Sequence, residues 1–260
     1  MKRPYEVQNG CNNPIQAPLF TDPLVPYACS NMRSVSVWAE VDDALIKKYL
    51  EPTPFEYVSN VFNISVSDYM NATNCFAGFY DCSFTIPVKY KNIYGSYTMF
   101  EYESGDYYVA LGREAWGYPK VLADMQFTEG IDKVTASVSK RGREFVYIEV
   151  DRKHGQELQA PKAVMYPHLL LQVIPRGEAP GGVLIKRVLK RDTSPDYRGR
   201  INITGNAALT LRFDGSNPLD EFSSAKVLCG TYSCGEYRAT PEYNGWAHVI
   251  DTLVWPDEFK

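Results

Sequence analysis

The chain has 260 residues, 45% hydrophobic and 22% charged, with a formal charge of -4. That is ordinary for a globular protein able to bury a real core, and the interspersed charges give no electrostatic case for a nucleic-acid or anionic-membrane partner. No apolar run nears the roughly 18 residues of a spanning helix, and the start lacks a signal peptide's apolar segment, which points to the cytoplasm.

In chain order, "RSVSVWAEV" (33–41) alternates β-branched and polar residues as a half-buried strand does. "DDALIKKYLEP" (42–52) reads as a short surface helix, opened by Asp42 and Asp43 and closed by Pro52. "FTIPVKY" (84–90), "REFVYIEV" (143–150) and "AALTLRF" (207–213) are further strands. The basic stretch "IKRVLKRDTSPDYRGR" (185–200) alternates too, and reads as a strand with one solvated face rather than a nucleic-acid patch. With 19 Tyr, 12 Phe, 18 Gly and 17 Pro spread throughout, the fold is expected to be mainly β, with short strands, tight turns and few helices. No repeat or linker divides it, so a single domain over 1–260 is expected.

Six cysteines without a CxxC pair are expected to be reduced thiols, and the sequons at Asn63, Asn71 and Asn202 are expected to go unmodified. His154, His168 and His248 lie far apart with no ligand spacing, so no metal site is expected and core or surface imidazoles are the simpler account. Dinucleotide, Walker, serine-hydrolase and zinc-protease motifs are all absent, and nothing calls for an external cofactor.

The unusual stretch is "GREAWGYPKVLADMQF" (112–127), where Lys120 follows a Gly-Tyr-Pro turn among Ala115, Trp116, Tyr118, Val121, Leu122 and Ala123. An amine attacks a ketone only when neutral, and burial could lower its pKa to allow that. On local composition alone, a lysine opening a strand with its stem on Trp116 and its head in water is the simpler reading.

The segment "VALGREAWGYPKVLADMQF" resembles the signature of the acetoacetate decarboxylase family, whose lysine after the proline forms a Schiff base. "FYDCSFTIPVKYKNIYGSYTMFEYESGDYYVALGRE", "MYPHLLLQVIP", "AALTLRFDGSNPLDEFSSAKVLCGTY" and "VDDALIKKYLEP" extend the resemblance over roughly 30–235. It implies a closed or cone-shaped β-barrel assembly with a few short peripheral helices, oligomeric and acting on a small-molecule keto acid without a cofactor.

Residue by residue, the resemblance makes Lys120 the nucleophile and places the family's second acid at Asp81, which would otherwise read as a turn residue. The family's first-strand arginine falls on Asn31, with Arg33 two residues on expected to share its face and substitute for it. Its glutamate falls near Asn63, a neutral amide. Trp116 and Tyr118 are candidate pocket walls, with a core role equally open; Arg113 and Glu114 read as scaffold ion-pair partners on a strand; Glu242 and Tyr243 are candidate acid/base groups. Val121 replaces the second lysine of the family's decarboxylases, which leaves burial as the expected means of lowering the Lys120 pKa.

The expected activity is a Schiff-base lyase that decarboxylates a β-keto acid through an imine on Lys120. Aldolase, dehydratase or cyclase chemistry on an α-keto acid in secondary metabolism is the alternative, motivated by Asn63 and Val121. A non-catalytic small-molecule binder is the third.

Overall fold

Each segment with period-two alternation forms a strand. The computed structural model describes residues 11–19, 27–73, 78–153, 158–178, 182–194, 197–239 and 247–256. β1 (Tyr27–Glu40) leads into α1 (Asp43–Leu50), β2 (Glu56–Tyr57), β3 (Val61–Asp68), β4 (Ala72–Thr73), β5 (Tyr80–Tyr90) and β6 (Ile93–Glu103). Next come α2 (Asp106–Leu111), a π-helical turn (Gly112–Trp116), β7 (Lys120–Leu122), β8 (Asp124–Glu129), β9 (Lys133–Lys140) and β10 (Arg143–Asp151). They are followed by β11 (His168–Pro175), β12 (Val183–Arg191), β13 (Tyr197–Gly205), β14 (Ala207–Leu211), a 3-10 turn (Leu219–Phe222), β15 (Lys226–Ala239) and β16 (His248–Val254). Four of the five segments read as strands each overlap one strand, the stretch 185–200 read as one strand divides between β12 and β13, and the segment read as a helix contains α1.

The α1 helix starts where Asp42 caps it, its Oδ1 accepting from the Ala44 amide at 2.7 Å. Ile46 and Leu50 are its buried positions, four residues apart on one face. Among the described residues no helix is long and apolar enough to cross a membrane.

Twelve strands form one sheet whose main path runs β13-β15-β1-β3-β5-β6-β11-β12-β16, with β2, β4 and β7 paired to its flanks. Four strands form a second sheet, β14-β10-β9-β8. The closed or cone-shaped barrel implied by the resemblance is not found: both sheets are open, and no ladder joins β13 to β16. The physical reason lies at the middle of the large sheet, where β6 and β11 meet through one parallel bridge, His168 to Ser96. So thin a joint leaves the two halves of the sheet without the continuous ladder that a closed barrel needs.

The two faces of the large sheet have different fates. Val35, Val37, Ile64, Val66 and Phe84 point one way into a continuous core with Val134, Val138, Val146 and Ile148 of the small sheet. The alternate residues face the opposite way, into the hollow beneath β11 and β12. A smaller cluster of Leu111, Trp116, Tyr118, Leu170 and Leu189 fastens α2 and the π-helical turn onto β11 and β12, closing that hollow.

Candidate active site

The hollow has a volume of about 420 Å³ and receives side chains from both halves of the curled sheet. Lys120 projects into it from the first residue of β7, which pairs in parallel with β6 so that Lys120 lies beside Glu101. Two glycines make the approach. Gly117 ends the π-helical turn in the left-handed region (φ 80°), where an added Cβ would lie 2.6 Å from the Gln172 amide nitrogen. Gly112 leaves room for the lysine stem, since a Cβ there would lie 2.6 Å from Lys120 Cδ.

The expected setting of Lys120 was apolar, and the structure corrects this. Its Nζ bonds Asp81 Oδ2 at 2.9 Å, pairs with Glu101 Oε1 at 3.4 Å and makes a close contact with Glu103 Oε2. Burial opposes the ammonium charge, but attraction to Asp81, Glu101 and Glu103 outweighs it and holds the Lys120 pKa well above the ordinary lysine value. Burial pushes Glu101 and Glu103 well above the usual carboxylate range despite the lysine. For Asp81 burial acts in the same upward sense but the attraction of Lys120 wins, and its pKa is lowered.

Three carboxyl groups therefore share one buried amine, Asp81 held down by the lysine and Glu101 and Glu103 pushed up by burial. Glu101 also hydrogen-bonds to Asp81, which couples the two carboxyl groups. Glu101 Oε2 and Glu103 Oε1 are buried without a hydrogen-bond partner, so the set has unused capacity to hold or pass a proton.

Asp81, Asn63, Trp116 and Tyr118 all line the hollow, and Trp116 and Tyr118 also belong to the small core cluster beside it. The Asn63 amide donates to the Val37 carbonyl at 3.4 Å. Arg33 and Asn31 do not line it. The β1 register is unbroken from Met32 to Trp38, so Arg33 shares the face of Val35 and Val37, while Met32, Ser34 and Ser36 face the hollow. There it donates from Nε to Asp68 at 3.1 Å, from Nη1 to Glu129 at 3.3 Å, and lies 5.1 Å from the Phe127 ring centre. Asn31 sits at a register irregularity between Cys29 and Met32 and accepts from the Cys234 thiol at 3.1 Å. Arg113 and Glu114 stand on the π-helical turn rather than a strand; both are exposed, and Arg113 donates to the Lys120 carbonyl at 3.1 Å instead of pairing with its neighbour. Glu242 and Tyr243 lie outside the described residues.

Four residues of this site carry little sequence signal. Glu101 and Glu103 alternate with Phe100 and Tyr102 and look like the wet face of a strand. Arg191 ends β12, in the stretch read as solvated, yet it is 6% exposed and its guanidinium lies 3.7 Å from the Trp116 ring centre and 5.7 Å from that of Tyr118. His168 opens β11, its Nδ1 2.8 Å from the Tyr118 hydroxyl and its ring stacked on Tyr166. Burial raises the Tyr118 pKa, so its hydroxyl stays protonated; which of the two atoms donates follows the imidazole tautomer.

Burial and the Arg191 charge bring the His168 pKa down to about 4, so the ring is neutral at physiological pH. Its contribution to stability is complete above the unfolded value of about 6.5 and is lost as pH falls towards 4, by at most about 3 kcal/mol. Glu101 and Glu103 take up protons on folding over the same range, so the signature is a difference between two proteins. Wild type should lose stability relative to His168→Gln between pH 6.5 and 4 in denaturant titrations; parallel curves would show that His168 is not held neutral.

Among the described residues no group of His, Cys, Asp and Glu is arranged to hold a metal ion. The acids at the end of the hollow surround an amine instead. What they can do chemically is hold that amine, remove its proton and return one nearby.

Comparison with known proteins bears on the family and the fold. The family model for acetoacetate decarboxylase matches residues 13–238. The acetoacetate decarboxylase of Paraburkholderia phytofirmans is 26% identical over 225 residues, covering 85% of this chain and 86% of the relative. The crystal structure of acetoacetate decarboxylase from Legionella pneumophila superposes with a TM-score of 0.80 at 19% identity, covering 97% of this chain and 98% of that one. The enduracididine biosynthesis enzyme MppR, in its complex with pyruvate, superposes with a TM-score of 0.72 at 16% identity, over 94% of this chain and 98% of that one.

Proposed function

Because the chain belongs to the acetoacetate decarboxylase family, we propose that it is a lyase in which Lys120 forms an imine with the ketone of a keto acid, and that its reaction is decarboxylation of a β-keto acid. The observation that carries this reading is the buried amine of Lys120, facing the hollow and held at 2.9 Å by Asp81.

A protonated lysine cannot attack. The ion pair of Lys120 and Asp81 can become a neutral pair by moving one proton over one hydrogen bond, and the net charge of the cluster does not change. Closing the hollow around a substrate removes water and favours the neutral pair over the ion pair, since desolvation penalises both charges. The amine then adds to the ketone carbon, water leaves with the proton held by Asp81, and the nitrogen remains as a protonated imine. Loss of CO2 breaks the bond between the α-carbon and the carboxylate carbon, and its electron pair passes to the imine nitrogen as an enamine. A proton from the acid cluster returns to the α-carbon, and hydrolysis frees the ketone and Lys120.

Arg191 supplies the charge that Arg33 does not. It abuts Trp116 and Tyr118 in the wall of the hollow, and Lys120 Nζ lies 5.8 Å from the same Tyr118 ring centre. A planar guanidinium there suits a carboxylate, bound bidentately and backed by two rings.

One observation favours the second reading, aldol or dehydration chemistry on an α-keto acid. Three carboxyl groups surround one amine, more proton-handling capacity than decarboxylation requires, and the similar fold of MppR is described with pyruvate bound. Product analysis separates the two: CO2 released from β-keto acids supports decarboxylation, while condensation or water loss without CO2 supports the second. Binding without turnover of either class would leave a small-molecule binder.

A further inference from the structure

Four neighbouring strands bring hydroxyl side chains to the same two levels of the hollow. The pairing aligns Thr231, Ser36, Ser65 and Ser83 in one row across β15, β1, β3 and β5, and the row ends on Glu101 of β6. The row beside it runs Ser233, Ser34 and Ser67 and ends on Asp81. Every one of these residues lines the hollow. The backbone positions within a row stand about 4.8 Å apart and the rows about 6.7 Å apart, the spacings of adjacent strands and of alternate residues. The result is a two-row grid of hydroxyls that leads to the amine of Lys120.

The grid is partly paired within itself: Ser36 with Thr231 at 2.6 Å, Ser67 donating to Ser34 at 3.0 Å, and Ser65 with Ser83 at 3.2 Å. A hydroxyl has one donor and two acceptor sites, so each such pair keeps a donor and several acceptors to offer a ligand. An apolar tail lying there would strip these groups of water and return nothing. A second anionic group would need another cation, whereas the cations lining the hollow are Lys120, already engaged by three acids, and Arg191. The facing wall presents the rings of Tyr107, Tyr108, Trp116 and Tyr166, surfaces suited to the C–H faces of a carbon chain. At about 420 Å³ the space is in the range of drug-sized ligands, well beyond a four-carbon acid.

We infer that the substrate is a polyhydroxylated, sugar-acid-like keto acid with a single carboxylate, whose neutral hydroxyl-bearing chain lies across the Ser/Thr grid while its ketone reaches Lys120. This rests on the imine reading for the ketone, but the grid's selectivity can be measured without any imine. D-Gluconate and hexanoate are both six-carbon monocarboxylates, and neither has a ketone. By calorimetry the wild-type protein should bind D-gluconate about tenfold or more tightly than hexanoate, and Ser36→Ala/Ser65→Ala should bring that ratio below about threefold. Thr231→Val, which keeps the side chain's shape, should reduce it in the same direction and serves if the double variant does not fold. Hexanoate binding as well as or better than D-gluconate, an unchanged ratio in both variants, or no binding of either acid would overturn the assignment. Borohydride trapping with pyruvate is scored separately: its absence would remove the imine and leave gluconate selectivity standing, while trapping without that selectivity would remove the hydroxylated tail alone.

Discussion

Lys120→Met should lower turnover of a keto acid by at least about 10⁴-fold while the protein stays folded, because no other group replaces a covalent nucleophile. Methionine keeps an unbranched stem to pack in the space left by Gly112, so the loss would come from the amine rather than from a cavity. Removing the cation also frees Asp81 from the attraction that lowers its pKa, and the buried carboxyl groups would then take up protons rather than remain as uncompensated anions. Circular dichroism and a denaturant midpoint near wild type should accompany the lost activity. Retention of turnover within about tenfold of wild type would show that Lys120 acts through packing and not through an imine.

Arg191→Met should raise KM for a keto acid by about 10- to 100-fold with a smaller change in kcat, the effect of losing a charge-assisted, bidentate hydrogen bond to a carboxylate. A structural role would weaken every ligand alike. A ketone without a carboxylate should therefore be trapped equally well by wild type and variant, whereas trapping of the corresponding acid should fall. Arg191→Lys, which keeps the charge but loses the planar fork and its stacking on Trp116, should recover only part of the affinity. Equal losses with the ketone and the acid would make Arg191 a wall residue.

Much of the fold was legible because alternation in a strand records which side is apolar, and "SVSVW" or "FNISVS" records it clearly. The identity of the other side was not. Ser34, Ser36, Ser65 and Ser67 look the same in sequence whether they face bulk water or a hollow, and only residues distant in the chain, such as Trp116, His168 and Arg191, which line the same hollow, decide between the two. The same ambiguity hid Glu101 and Glu103, whose alternation with Phe100 and Tyr102 suits a wet face equally well, and Arg191, in a stretch read as a strand with one solvated face. Arg33 failed for a different reason: regular alternation from Met32 to Trp38 puts it with Val35 and Val37 on the core side, where Asp68 and Glu129 hold it, and the irregularity between Cys29 and Met32 removes Asn31 as a guide to its face. Lys120 was legible through its motif, but the sign of its pKa shift was not, since that sign depends on acids 17, 19 and 39 residues earlier in the chain.

The central claim is a covalent bond between the Lys120 amine and a ketone, and it can be tested by trapping. The folded protein would be incubated with acetoacetate or pyruvate and borohydride, digested, and its lysine-containing peptides weighed by mass spectrometry. The account predicts one stable adduct, on the peptide holding Lys120, absent when the keto acid is omitted. No adduct with either acid, or an adduct on a different lysine, would contradict it.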